Sequence, residues 1–429
     1  MRPDRHVVER ISHYVRIVRG FSRPAKLVLL SCLIISPGHS PFVVLFNLYL
    51  KQLGYDEAFI GYIVSVTRLA TLLMALVLGL IGDRVSRRWL FRIGVTAQGL
   101  ALAACSLLTG RAGLLAANAI AGFSFPIWHI VYIPLLTGYS REDERTHLFS
   151  VASATWLVTG VPGNALAGSL PGFYARLTGV PPEGVLAYRF VLLVGAGCYG
   201  LGLLPLLFLP EEEEEEEEGQ RQNEDTGQPS SSRAVRGQIA AFTVVAALLA
   251  FGEGAILPFL NLFFKEWLGA DAGTIGLALA GAKTIAFAAL FLVPALTHRW
   301  GQVNTATGLR LAFLPFLAGM ALAPSLGLAV PLYFVWSALW NMTFPAVRVF
   351  QMALIPENRH VRLVSLAGPS SGVAQSLAGA AAAALAGRLI LHLGYPTAYL
   401  MAIPFLLVGT GVYYVAFQRH ERQIARTAR

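Results

Sequence analysis

Charged side chains are scarce in this chain. Asp, Glu, Lys and Arg make up 13% of its 429 residues and hydrophobic residues 55%. The apolar residues come in long blocks instead of the short alternating clusters of a soluble core, which excludes a soluble globular fold. Cysteine is scarcer still. Cys32, Cys105 and Cys198 have neither a CxxC spacing nor a neighbouring His, so no redox pair, no metal site and no other cofactor is expected. A Walker A loop is missing, as is any constellation of catalytic side chains, so the chain is expected to be neither an ATP-driven engine nor an enzyme. The basic N-terminus lacks a cleavage site and a short apolar core, and the first apolar block reads as a retained helix.

What the chain has is span after span of lipid-compatible sequence. A membrane helix needs about 20 apolar residues, and twelve blocks qualify: 27–50, 59–81, 90–109, 114–136, 146–170, 187–209, 237–264, 274–297, 302–322, 328–355, 362–391 and 395–418. The net charge of +9 could indicate nucleic acid, but the placement of the 33 Lys and Arg residues argues for topology. Most fall in the termini and alternate loops: 1–26, 82–89 with Arg92, 137–145, 210–236, 298–301, 356–362 and 419–429. The opposite loops hold Lys51, Arg111, Arg176, Arg189, Lys265 and Arg388, and the spans hold Arg68, Lys283, Arg310 and Arg348. By the positive-inside rule both termini are cytoplasmic, in a multi-pass protein of the cytoplasmic membrane. The lipid bilayer is then its surroundings, and no nucleic-acid partner is expected.

Residues 210–236 form the long polar interval, PEEEEEEEEGQRQNEDTGQPSSSRAVR, at the middle of the chain. Such a segment cannot bury an apolar face and reads as a disordered cytoplasmic linker. The sequence repeats on either side of it. FNLYLKQLGYDEAFIG at 46–61 lies over LNLFFKEWLGADAGTIG at 260–276, matching Asn47 with Asn261, Lys51 with Lys265 and Gly61 with Gly276. FPIWH at 125–129 lies over FPAVR at 344–348. The predicted organisation is a basic segment 1–26, a six-helix bundle 27–209, the acidic linker 210–236, a second six-helix bundle 237–418 and a basic tail 419–429. Two such bundles with both termini on one side are parallel repeats about an axis along the membrane normal.

Between spans two and three the sequence reads Gly79-Leu-Ile-Gly-Asp83-Arg84-Val-Ser-Arg87-Arg88. With the twelve spans and the repeat, this resembles the major facilitator superfamily and its G-x-L-x-D-R-x-G-R-R loop, with Ile81 and Ser86 as departures. The second half keeps only Arg299 and Gly301 of the pattern, in PALTHRWGQ at 294–302. The resemblance implies an all-α membrane protein of two pseudo-symmetric six-helix bundles. It also implies that Asp83, Arg84 and Arg88 latch the two halves on the cytoplasmic side, although the cations would serve equally as positive-inside anchors. Gly368-Pro369-Ser-Ser-Gly372 is similar to the antiporter GP-x-x-G motif, but that motif belongs in span five, where Gly160-Val-Pro162 stands instead. The drug/proton antiporter branch is therefore not implied.

Ionisable groups inside a membrane are costly and are functional candidates by default. The repeat pairs them: Arg68 with Lys283 at an offset of 215, His39 with Glu253 at 214, and His129 with Arg348 at 219. In the fold that the resemblance implies, all six lie on cavity-lining or interface helices. Arg310 in span nine stands apart, and is read as a residue near the cytoplasmic end that snorkels to the interface. Arg68 and Lys283 either clamp an anion or brace the halves against backbone carbonyls. His39, between Pro37, Gly38 and Pro41, is either a proton carrier or a hydrogen-bonded kink residue. Glu253, the acidic side chain deepest in any span, is the first candidate for proton coupling, with His39 as the second. Arg348 and His129 are candidate gate or ligand residues, and Trp128 and Trp340 either wall in a ligand or pack. Asn47 and Asn261 read as interhelical hydrogen bonds.

The resulting expectation is a secondary transporter, acting as a monomer by alternating access on a small solute and coupled to a proton or other ion. Arg68, Lys283 and Arg348 outnumber Glu253, so an anionic or carboxylate-bearing solute is expected. The cations on spans two and eight are similar to those of the superfamily's nitrate branch, but that branch's glycine-rich signature is not evident. Two other readings remain: an exporter of amphipathic drugs or lipids, and a non-transporting sensor that signals through the linker.

Overall fold

In lipid a chain must satisfy its own backbone hydrogen bonds, so long apolar runs fold as helices. A computed structural model describes residues 20–81, 85–140, 145–210, 233–355, 366 and 372–427, which are helical apart from turns and caps and contain no strand. The helices follow the twelve apolar blocks. The first half contains α1 (Arg23–Gln52), α2 (Glu57–Ile81), α3 (Arg87–Leu107), α4 (Arg111–Gly138), α5 (Arg145–Thr178) and α6 (Val185–Leu207). The second contains α7 (Arg233–Ile256 and its continuation), α8 (Ala272–Leu290), α9 (Gln302–Ala321), α10 (Leu326–Leu354), α11 (Val373–Leu393) and α12 (Tyr395–Thr427). Ten of these are long and apolar enough to cross a membrane. The other two, α5 and α9, carry Thr, Asn, Gly and Arg along their length, which lowers their mean hydropathy.

Three boundaries depart from the predicted blocks. Pro258 has no N–H to give, so α7 stops at Ile256 and passes through a 3-10 turn (Leu257–Phe259) into a π turn (Phe263–Trp267). A 3-10 step at Phe291 and Leu292 breaks α8, and Val293–Trp300 resumes with Pro294 in its first turn. The predicted tail 419–429 is not a separate segment, because α12 continues to Thr427 and Glu421 accepts the Val303 N–H of α9 at 2.9 Å. Most of the linker, Asp83, Arg84 and Gly368-Pro369 lie outside the described residues.

The duplication governs packing. In the first half α1 packs on α5 and α6, α4 on α2 and α3, and α3 on α6; in the second, α7 packs on α11 and α12, α10 on α8 and α9, and α9 on α12. Each pairing in one half has its counterpart in the other. The halves meet through α2 on α11 and α5 on α8, and these crossings are also counterparts.

These crossings rely on glycine. A Cβ on Gly61 would collide with the Ala383 carbonyl and crowd Gly387, and one on Gly276 would lie 2.5 Å from the Asn164 carbonyl oxygen and 2.9 Å from the Gly168 Cα. Gly61 and Gly276 are repeat partners, and so are Gly168 and Gly387 at an offset of 219. Small residues let the backbones touch, which is how helices associate where no hydrophobic drive exists between them.

Between α7 and α8, Asp271 caps the N-terminus of α8, accepting the Thr274 N–H at 2.6 Å. That hydrogen bond holds the Asp271 carboxyl below its usual range. Its contribution is therefore present above about pH 4 and lost as pH falls through the depressed value. Asp271→Ala is expected to cost about 1 kcal/mol, read as a lower Tm at pH 7 that converges with the wild type in acid.

Candidate functional site

The polar seam begins where the halves cross. Arg68 is two turns beyond Gly61 on α2, and its guanidinium lies against Gly379 of α11, where a Cβ would collide with Nη1. Lys283 is two turns beyond Gly276 on α8, and its Nζ is 2.7 Å from where a Cβ of Gly160 on α5 would stand. Gly160 and Gly379 are themselves repeat partners at the offset of 219. Each half therefore sends a cation across the seam onto the equivalent glycine of the other.

The two cations enter different surroundings. Lys283 comes within electrostatic range of His39, which also senses His129. The Tyr199 hydroxyl is 3.4 Å from His39 Nδ1, and the Phe125 ring lies between the histidines, 6.3 Å from His39 and stacked on His129 at 4.8 Å. Arg68 is in range of Glu253, and Glu253 is also in range of Arg310. Repeat-related cations thus face a histidine pair in the first half and a carboxyl with two further arginines in the second.

The second-half group opens on a cavity of about 80 Å³ bounded by Glu253, Arg310, Arg348, Gln375 and Tyr413, with Phe242 and Phe344 among its apolar walls. Arg310 corrects the sequence expectation. It does not snorkel: its side chain is 6% exposed and its guanidinium lies 4.8 Å from the Tyr413 ring centroid. Eight residues of α9 precede it, about 12 Å of helix, too deep for its head to reach the interface. Trp128 and Trp340 do not border this cavity. Trp128, 1% exposed, stacks on Trp156 at 5.3 Å in the first-half core, and Trp340 packs with Trp336 and Phe313 in the second.

Further polar contacts close the end of the bundle that carries Glu57 and Leu393. Asn47 donates to the Pro258 carbonyl at 2.5 Å and Asn261 to that of Val44 at 3.0 Å, a reciprocal pair in which donors and acceptors are both repeat partners. Lys265 pairs with Glu183 of the first half at 2.6 Å. Tyr395 of α12 donates to Glu57 of α2 at 3.2 Å, and Arg388 of α11 donates to the Tyr62 hydroxyl. The repeat singles out the two asparagines and Lys265, but the pairings of Lys265, Tyr395 and Arg388 carry no sequence signal, because their partners lie more than 80 positions away. At the opposite end Arg88 donates to the Leu209 carbonyl at 3.3 Å beside Arg92, within its own half. Among the described residues no cluster of His, Cys, Asp and Glu could hold a metal ion.

Comparison with solved structures finds the same fold at low identity. The chain superposes on a crystal structure of the nucleoside transporter NupG with TM-score 0.68 and 15% identity, covering 92% of this chain and 99% of that one. A bacterial homolog of the human lysosomal transporter Spinster, inward-facing and unoccupied, gives 0.70 at 15% identity over 92% and 97%. A D-xylose-proton symporter gives 0.69 at 14% identity over 94% and 97%. The Major Facilitator Superfamily model matches residues 28–379. The twelve helices, the repeated pairings and this match together make the chain a member of the major facilitator superfamily.

Proposed function

We propose that this transporter moves a small anionic, carboxylate-bearing solute across the cytoplasmic membrane as a monomer, with both termini cytoplasmic and residues 210–236 joining its halves. The observation that carries the reading is the exchange of cations across the seam, Arg68 onto Gly379 and Lys283 onto Gly160. A rocking motion of the halves must break both contacts together, so an anion that binds these cations has a differential affinity for the two states. A ligand shifts a conformational equilibrium only through such a difference. With the termini inside, the end closed by the Asn47, Asn261, Lys265 and Tyr395 contacts is the outer one.

Glu253 and His39 occupy matched positions beside the exchanged cations and are the proton-coupling pair of this reading. Neutralising the cations with substrate changes the field at Glu253, linking its protonation to occupancy. A proton-coupled neighbour of the same fold, the D-xylose symporter, is consistent with such coupling. Glu253→Gln is expected to abolish uptake driven by a pH gradient while leaving counterflow exchange of labelled for unlabelled solute within about threefold of wild type. Uptake in this variant that still follows the pH gradient would remove Glu253 from the coupling. Export of an amphipath would give weight to the tryptophans and to a lateral opening; Trp128 and Trp340 are packed in the two cores.

A further inference from the structure

Arg310 and Tyr413 present a pair of unmet needs in one place. Arg310 Nη1 and the Tyr413 hydroxyl are both buried and have no hydrogen-bond partner, and both residues border the 80 Å³ cavity. Leaving such groups unsatisfied is costly, about 1–3 kcal/mol each and more for a charged one. The cavity has several times the roughly 10–15 Å³ that one water requires. Its charges do not balance either, since Arg310 and Arg348 face one carboxyl, Glu253. The repeat gives no counterpart in the first half: the residue 215 positions before Arg310 is Val95, fully buried in that core.

We propose that this cavity is a seat for a small monocarboxylate with a short apolar or aryl body, held inside the second half and off the seam. The carboxylate lies against Arg310, whose planar fork suits two parallel hydrogen bonds, and takes a third from the Tyr413 hydroxyl. Arg348 supplies the second positive charge. The body rests among Phe242, Phe344, Val245 and Leu249. One bound negative charge, with ionised Glu253, offsets the two arginines that line the cavity and leaves Arg68 as the cation at the seam. Arg310 is a ligand-binding residue in this account, and the stacking of its guanidinium on Tyr413 fixes its plane.

This seat rests on the anion-transport reading, so the test measures binding to purified full-length protein and not flux. Thermal unfolding is followed against increasing benzoate, its neutral counterpart benzyl alcohol, and inorganic phosphate. A ligand that binds the folded state raises Tm in a saturable way. Benzoate is expected to do so, and benzyl alcohol and phosphate are not. Arg310→Gln should raise the half-saturating benzoate concentration at least about tenfold and Tyr413→Phe about threefold, while Arg310→Lys recovers part of the loss. Equal stabilisation of wild type and Arg310→Gln by benzoate overturns the seat, as does equal stabilisation of wild type by benzoate and benzyl alcohol. Stabilisation by phosphate without benzoate overturns the carboxylate assignment. If Arg310→Gln does not fold, Tyr413→Phe decides, and an unchanged half-saturation then overturns the seat. A benzoate failure with anion uptake intact removes the seat and leaves the seam reading standing.

Discussion

Arg68→Ala and Lys283→Ala, made singly, are expected to reduce anion uptake into proteoliposomes by about 30-fold or more, with unchanged protein levels and gel-filtration profile. The magnitude follows from removing one member of a desolvated charged group, which costs about 2–5 kcal/mol, at 1.4 kcal/mol per tenfold. Each cation stands at the seam against a glycine of the opposite half, so its deletion creates no cavity in the core of either bundle. The cores of the two halves are built from other residues, such as Leu45, Tyr49 and Phe263. If the cations only braced the halves, the substitutions would lower Tm and leave the uptake rate of the folded fraction near wild type. Uptake and stability therefore distinguish the two readings of Arg68 that the sequence leaves open. Arg68→Lys should keep a measurable part of the rate, because Lys retains the charge without the planar fork.

The second large effect concerns the crossings themselves. Gly61→Val and Gly276→Val place a branched side chain where only backbone fits, against the Ala383 and Asn164 carbonyls respectively. Neither carbonyl can yield without moving its helix. Overpacking of this kind costs about 1–3 kcal/mol, and helices that pack as rigid bodies relieve it by separating at that end. A separation that favours the open form by the same amount changes its population about 5- to 140-fold. Ser65 donates to the Ala380 carbonyl at 2.6 Å inside the α2–α11 contact, which makes Ser65→Cys a reporter. In a background with Cys32, Cys105 and Cys198 replaced, labelling of Ser65→Cys by an impermeant maleimide should accelerate at least about fivefold in Gly61→Val, and uptake should fall by a similar factor. Unchanged labelling together with normal uptake would mean that this crossing does not seal the bundle.

Much of this organisation is legible in the sequence because duplication makes local signals corroborate one another. Arg68 alone is an anomalous charge in an apolar helix, whereas Arg68 with Lys283 is a pair, and the structure extends that pair to its glycine seats, Gly379 and Gly160. Asn47 and Asn261, aligned by the repeat, become the reciprocal hydrogen bonds between α1 and α7. Repeat logic fails where the halves differ. Arg310 replaces a core valine of the other half and therefore looks like an isolated charge near a helix end, while its environment depends on Tyr413 from a helix about 100 positions later. The salt bridge between Lys265 and Glu183 and the contact between Tyr395 and Glu57 are hidden for the same reason. Side-chain partners set by helix packing leave no periodicity to read. The break in α7 is visible as Pro258, but the π turn that follows it, which begins at the fully buried Phe263 and Phe264, has no such marker in the sequence.

Two exchanged cations, Arg68 and Lys283, are proposed to make this transporter selective for a small anion. The measurement that bears on this selectivity most directly is uptake of labelled solutes by proteoliposomes containing the wild-type protein or the double variant Arg68→Ala/Lys283→Ala. The panel contains benzoate, a short aliphatic carboxylate, D-xylose and a nucleoside. Saturable carboxylate uptake by the wild type, absent from the double variant and accompanied by no uptake of xylose or nucleoside, is the predicted result. Saturable uptake of a neutral solute without any carboxylate, or carboxylate uptake that survives loss of both cations, would contradict the account.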